Sequence, residues 1–138
     1  MPRFAFVIAA IAFGISLAAA DDAWACRCPA SVSPATAYKR AHVVVTGKVA
    51  SVQPLPQQQG TNAIVTVSTN WKKKVASEIS VSTETTCAYN FEAGSEYLLY
   101  LFETKDGNYY TSLCAGNQPL AAAAKSMTWL RKSGKPSL

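Results

Sequence analysis

Histidine is almost missing from this chain: His42 is the only one among 138 residues. It stands at the head of the β-branched run Val43-Val44-Val45, which makes it a surface or strand-edge residue rather than a general base. Acidic residues are also few, 8 in all, and they are scattered, so no spaced carboxylate pair offers acid–base chemistry. There is no glycine-rich phosphate loop and no metal-ligand spacing. Once the cysteines are oxidised, no nucleophile is left beside a base. The chain therefore reads as a non-enzyme, with no cofactor and no metal of its own. Internal repeats, heptads and low-complexity tracts are absent too.

The one long apolar run lies at the start. Arg3 precedes it, and Phe4 to Ala20 is interrupted only by Gly14 and Ser16. It is a little short of the ~20 apolar residues of a membrane span, and Asp21-Asp22 ends it. Two small-x-small cleavage signals follow, Ala18-Ala19-Ala20 and Ala23-Trp24-Ala25. Residues 1–25 are thus expected to be a secretory signal peptide, with cleavage after Ala25 preferred over Ala20 because the cysteine pattern starts at Cys26. Trp24 is too bulky for the position two before a lipidated cysteine. The protein is expected to be secreted or periplasmic, with no stable membrane anchor after cleavage.

Basic residues outnumber acidic ones, 13 to 8. Such a balance suits attraction to acidic surfaces, polysaccharides or acidic proteins, or simply a soluble surface. Export removes most of the case for nucleic acid. Residues 26–132 suffice for one compact domain and are too few for two, so a monomeric single domain is expected. Residues 133–138 read as a flexible tail.

Four cysteines in an exported chain of this size read as two disulfides. A bond between Cys26 and Cys28 is geometrically poor, with one residue between them. Two arrangements remain, and each ties the N-terminal run Cys26-Arg27-Cys28-Pro29 to Cys87 and Cys114. Either one closes loops of about 60 to 90 residues, worth roughly 4 kcal/mol each in the chain-entropy model. Stapling alone does not explain why both bonds hold a chain start, usually the loosest part of a domain.

Most of the remaining sequence alternates like strand. Ser33-Pro34 opens a short helix to about Ala41, with Ala37 and Tyr38 turned inward. Strands are expected at Val43–Val52, with a bend or bulge at Gly47, from Ile64 to about Trp71, and over Glu78–Thr85. Tyr97–Phe102 is a continuous apolar run, expected to be buried on both faces. Asp106-Gly107-Asn108 is a hairpin turn, and Tyr109–Leu113 returns as the fifth strand. Lys72-Lys73-Lys74 reads as a solvated loop. Leu120–Lys132 is expected to be a helix with Leu120, Ala123, Ala124, Met127 and Leu130 on one face. The fold class is all-β: a five-stranded OB-type Greek-key barrel with a short N-terminal helix and a C-terminal helix. A β-sandwich usually needs about seven strands.

In order along the chain stand Cys26-x-Cys28, Ala37-Tyr38, Val43-Val44-Val45-Thr46-Gly47-Lys48-Val49, Trp71-Lys72, Cys87-Ala88-Tyr89-Asn90-Phe91, Gly94, Tyr97-Leu98-Leu99-Tyr100 and Thr111-Ser112-Leu113-Cys114. Together they resemble the N-terminal, netrin-like domain of the tissue inhibitors of metalloproteinases. The resemblance implies an OB-type barrel with bonds Cys26–Cys87 and Cys28–Cys114. It also implies a zinc metalloprotease as protein partner, its zinc chelated by the amine and carbonyl of Cys26. Arg27 would enter the pocket beside that zinc. Cys28, Pro29 and Ala30 would follow the substrate cleft, and Glu84, Thr85 and Thr86 would complete the ridge. Two positions depart from the pattern. Arg27 replaces a small or β-branched residue, and a long cation there calls for a deep or acidic pocket in the target. Lys39 replaces a further cysteine, which removes one family disulfide. The alternative reading is a noncatalytic cell-envelope or extracellular binding module on the same scaffold.

Overall fold

A computed structural model describes residues 26–29, 31–56 and 58–134. The expected signal peptide, Ala30 and residues 135–138 of the expected tail lie outside the described residues. The described elements are α1 (Pro34–Arg40), β1 (Val43–Pro54), β2 (Gly60–Lys72), β3 (Glu78–Glu84), β4 (Glu96–Glu103), β5 (Tyr109–Tyr110), β6 (Gln118–Pro119) and α2 (Ala124–Ser133).

The strands close into a barrel in the order β1-β2-β3-β5-β4, with β4 pairing back onto β1. All pairings are antiparallel except β3 with β5. This is the mainly β, OB-like barrel with a helix at each end that the residue pattern implies. Closure removes the free edges of an open sheet. The bulge expected at Gly47 is present as a register shift between Thr46 and Gly47. A Cβ at Gly47 would sit 2.6 Å from Thr66 O and 2.7 Å from Val65 Cγ1, so only glycine lets the two strands approach this closely.

Alternation along the strands sorts the apolar residues into two cores. Val43, Val45, Val49, Val65, Val81, Leu99 and Leu101 fill the barrel interior. Val44, Leu98, Tyr100 and Trp71 face outward and pack against Ala37, Ala41, Ala123 and Leu130 of the helical layer. The helices thus cover one outer face of the barrel, which is why β4 is buried on both sides. Ser33 caps α1, its Oγ accepting from Thr36 N at 3.2 Å, and Pro34 occupies the first turn.

Several details differ from the sequence expectation. The fifth strand stops at Tyr110, because residues 112–117 leave the barrel to carry Cys114. Gln118–Pro119 then rejoins the same edge of β4 as an unexpected short strand. The C-terminal helix is broken: a 3₁₀ turn spans Leu120–Ala122, α2 starts at Ala124, and Ala124 is exposed. At its other end Ser133 still belongs to α2, and Gly134 N donates to Leu130 O at 2.7 Å.

Lys72 differs as well. It is not a solvated residue but half-buried, and its Nζ donates to Tyr38 O at 2.8 Å and Ala41 O at 2.5 Å. The ammonium thereby satisfies carbonyls at the C-terminal end of α1, where the helix dipole also favours a cation. It lies 5.1 Å from the Tyr38 ring centroid as well. Lys73 is exposed and pairs with Glu103 at 2.7 Å; that hydrogen bond raises its pKa.

Candidate functional site: the cystine-clamped N-terminal run

The bonds are Cys26–Cys87, with Cα atoms 5.0 Å apart, and Cys28–Cys114, at 5.1 Å. This is the pairing the resemblance implies. The described chain holds no free cysteine. Each bond docks the start of the described chain onto a different segment of the barrel rim. Cys87 follows β3, and Cys114 lies in the excursion after β5. Those two segments are themselves joined, since Leu113 N donates to Cys87 O at 2.8 Å. Three backbone stretches thus form one continuous edge: residues 26–29, 84–87 and 112–114.

Local chemistry fixes each stretch. Thr85 has φ +68°, a left-handed conformation that is costly for a β-branched residue. Thr85 N donates to Gln59 O at 3.0 Å, and its own carbonyl accepts from Ala88 N at 3.2 Å. Its Oγ1 accepts from Cys87 N at 3.3 Å. The buried Thr83 hydroxyl accepts from Tyr89 N at 2.6 Å and anchors the far side of this turn. The Cys114 excursion is held by Asn117. Its Oδ1 accepts from Tyr100 N at 2.8 Å, while its Nδ2 donates to Thr111 Oγ1 at 2.7 Å and Ser112 O at 3.2 Å. Thr111 Oγ1 in turn donates to Tyr100 O at 2.8 Å. At Gly116 φ is +103°, and an added Cβ would stand 3.1 Å from Ala37 Cβ, so glycine permits both the turn and its contact with α1.

Of the sequence-expected site residues, Cys26 is half-buried, and Arg27, Cys28 and Pro29 are exposed. Glu84, Thr85 and Thr86 are also exposed, on the neighbouring stretch. Sequence reasoning missed Asn117 and Thr83, the polar supports of the two rim segments. Thr111 entered only as part of the family pattern, with no supporting role foreseen. Local sequence could not announce the role of Asn117, because the groups it serves come from β4 and the β5 exit. It also missed two apolar side chains beside the edge, Tyr110 and Leu113, 42% and 46% exposed. A groove of about 340 Å³ beside the Cys26–Cys87 bond is lined by Glu84, Thr85, Cys87, Tyr110, Thr111 and Ser112.

Behind the N-terminal run lies a second cavity of about 200 Å³, lined by Cys28, Pro29, Val32, Ala37, Tyr100 and Ser126. Tyr100 is 1% exposed, and its hydroxyl has no hydrogen-bond partner among the described residues. Burial raises its pKa, and the neighbouring Ser126 hydroxyl opposes that rise. Ser126 Oγ donates to Gln118 Oε1 at 3.2 Å.

The sulfurs of Cys26, Cys28 and Cys114 lie within 4.8 Å of one another. They are not a metal centre in this state, because zinc binds thiolates and all three are in disulfides. The edge instead presents backbone and short polar side chains on a rigid support. His42 is exposed, its Nδ1 accepting from Glu103 N at 3.0 Å. No protein-family model and no curated protein sequence matches this chain.

Proposed function

We propose that this protein inhibits zinc metalloproteases, with residue 26 as the chelating wedge. The observation that supports this reading is the double cystine clamp, which holds Cys26 against the strained Glu84–Cys87 turn and Cys28 against the Cys114 excursion. Signal cleavage after Ala25 would free the Cys26 amine. With a pKa near ~7.7–8, a useful fraction of such an amine is neutral at physiological pH and able to donate its lone pair. A catalytic zinc keeps one coordination position open for such a donor. Because the clamp has already restricted the run, little conformational freedom is left to lose on docking. Arg27, Pro29 and the Glu84–Thr86 stretch would line the protease cleft on either side, with the exposed Arg27 side chain favouring targets that have an acidic pocket beside the metal.

The test is an inhibition panel of zinc proteases with the secreted, processed protein, followed by competition with a small hydroxamate chelator. Competitive, mutually exclusive binding is expected. Inhibition that persists unchanged with the hydroxamate bound would refute zinc chelation.

A second reading, a noncatalytic binding module for acidic partners, is favoured by one observation. The last turns of α1 and α2 carry Lys39, Arg40, Arg131 and Lys132. The helices are brought together by Tyr38 and Trp129, whose rings are 5.4 Å apart, and Lys72 reaches the same end of α1. That reading expects binding that survives an N-terminal extension and weakens with salt.

A further inference from the structure

The two disulfides are packed sulfur on sulfur. Cys26 Sγ and Cys114 Sγ, which belong to different bonds, are 3.7 Å apart, and neither carries a hydrogen. The sulfur of Cys87 lies outside the cluster formed by the other three. Cys28 is the one cysteine of the four that is exposed; the others are half-buried. We propose that this cluster is a thiol–disulfide exchange site for a dithiol reductant, and that a single two-electron reduction moves the N-terminal clamp from Cys87 to Cys114.

The chemistry follows from access and contact. A thiolate of the dithiol attacks the exposed Cys28 sulfur, forming a mixed disulfide and expelling Cys114 as thiolate. Cys114 is already in van der Waals contact with Cys26. It attacks that sulfur, the Cys26–Cys114 bond forms, and Cys87 leaves as thiolate. The second thiol of the dithiol then resolves the mixed disulfide on Cys28. The dithiol has become a disulfide, giving up two electrons and two protons. The protein keeps one disulfide, Cys26–Cys114, and gains thiols at Cys28 and Cys87.

Contact sets the direction. The Cys114 thiolate is expelled beside the Cys26 sulfur, 3.7 Å away, whereas an external thiol has to reach that half-buried sulfur from solvent. The product keeps the N-terminal run on the barrel and removes the covalent tie at Cys87. The redox behaviour is independent of whether the edge binds a protease.

The test uses the folded, fully oxidised protein with a limiting amount of dithiothreitol, an acid quench, alkylation and peptide mass mapping. The expected two-electron product is alkylated at Cys28 and Cys87 and retains a Cys26–Cys114 bond. Alkylation at Cys28 with Cys114, at Cys26 with Cys87, or at all four with no two-electron species would overturn the proposal.

Discussion

Asn117 is the side chain on which the site leans most. Its three hydrogen bonds join the β4 backbone, the Thr111 hydroxyl and the Ser112 carbonyl. Asn117→Ala would strand these groups in a part-buried setting, and about 3 kcal/mol of stability should be lost, measurable as a lower urea midpoint. Lys72→Met keeps the stem and removes the ammonium that serves the α1 carbonyls. A loss of about 2 kcal/mol is expected in the same assay. Tyr89 gives a pH signature. Burial first, and the neighbouring Tyr97 second, push its phenol up from 10.0 to about 12. In the unfolded chain the phenol ionises near the ordinary value, so the unfolded state loses its proton first. Stability should therefore be complete below pH 10 and decline as pH rises toward 12. Urea midpoints measured across that window should fall, and Tyr89→Phe should flatten the decline. At this scale the sequence was legible where a residue's role is local. Ser33 and Gly47 were readable from their neighbours along the chain. Lys72 was not, because the carbonyls it serves lie about thirty residues upstream and reach it only after folding.

Among the elements, the β1–β2 pair carries the bulge that curves the barrel. Gly47→Ala would drive a methyl into the Thr66 carbonyl, and about 1–3 kcal/mol should be lost with the fold retained. Circular dichroism and a denaturant curve would check both parts. Strands β1 to β4 were legible because period-two alternation and β-branched runs are local signals. The double burial of β4 was legible from its unbroken apolar run, and the helical layer on its outer face is the physical reason for it. Two element boundaries were not legible, nor was the short strand β6. The early end of β5 is dictated by the Cys28–Cys114 bond, which draws residues 112–117 off the barrel edge. The break before α2 comes from Pro119 and the 3₁₀ turn after it, where packing of Ala123 against the barrel outweighs the helical composition.

For the whole molecule, the disulfides matter because of where they are. They close loops with sequence separations of 61 and 86 residues, and both end on the run that opens the described chain. Composition alone left two pairings open, and the structure adopts Cys26–Cys87 with Cys28–Cys114. The site's scaffold was thus readable as a clamp before its partners were known. Its supports were not readable, being polar groups assembled from four separate segments. On the proposed reading, the first residue of the processed protein donates to another protein's zinc. The deciding comparison sets two forms, one beginning at Cys26 and one with a single extra alanine ahead of it, against the same zinc protease. Loss of inhibition in the extended form, with its disulfides and thermal midpoint unchanged, is the predicted result. Equal potency of the two forms would contradict the account.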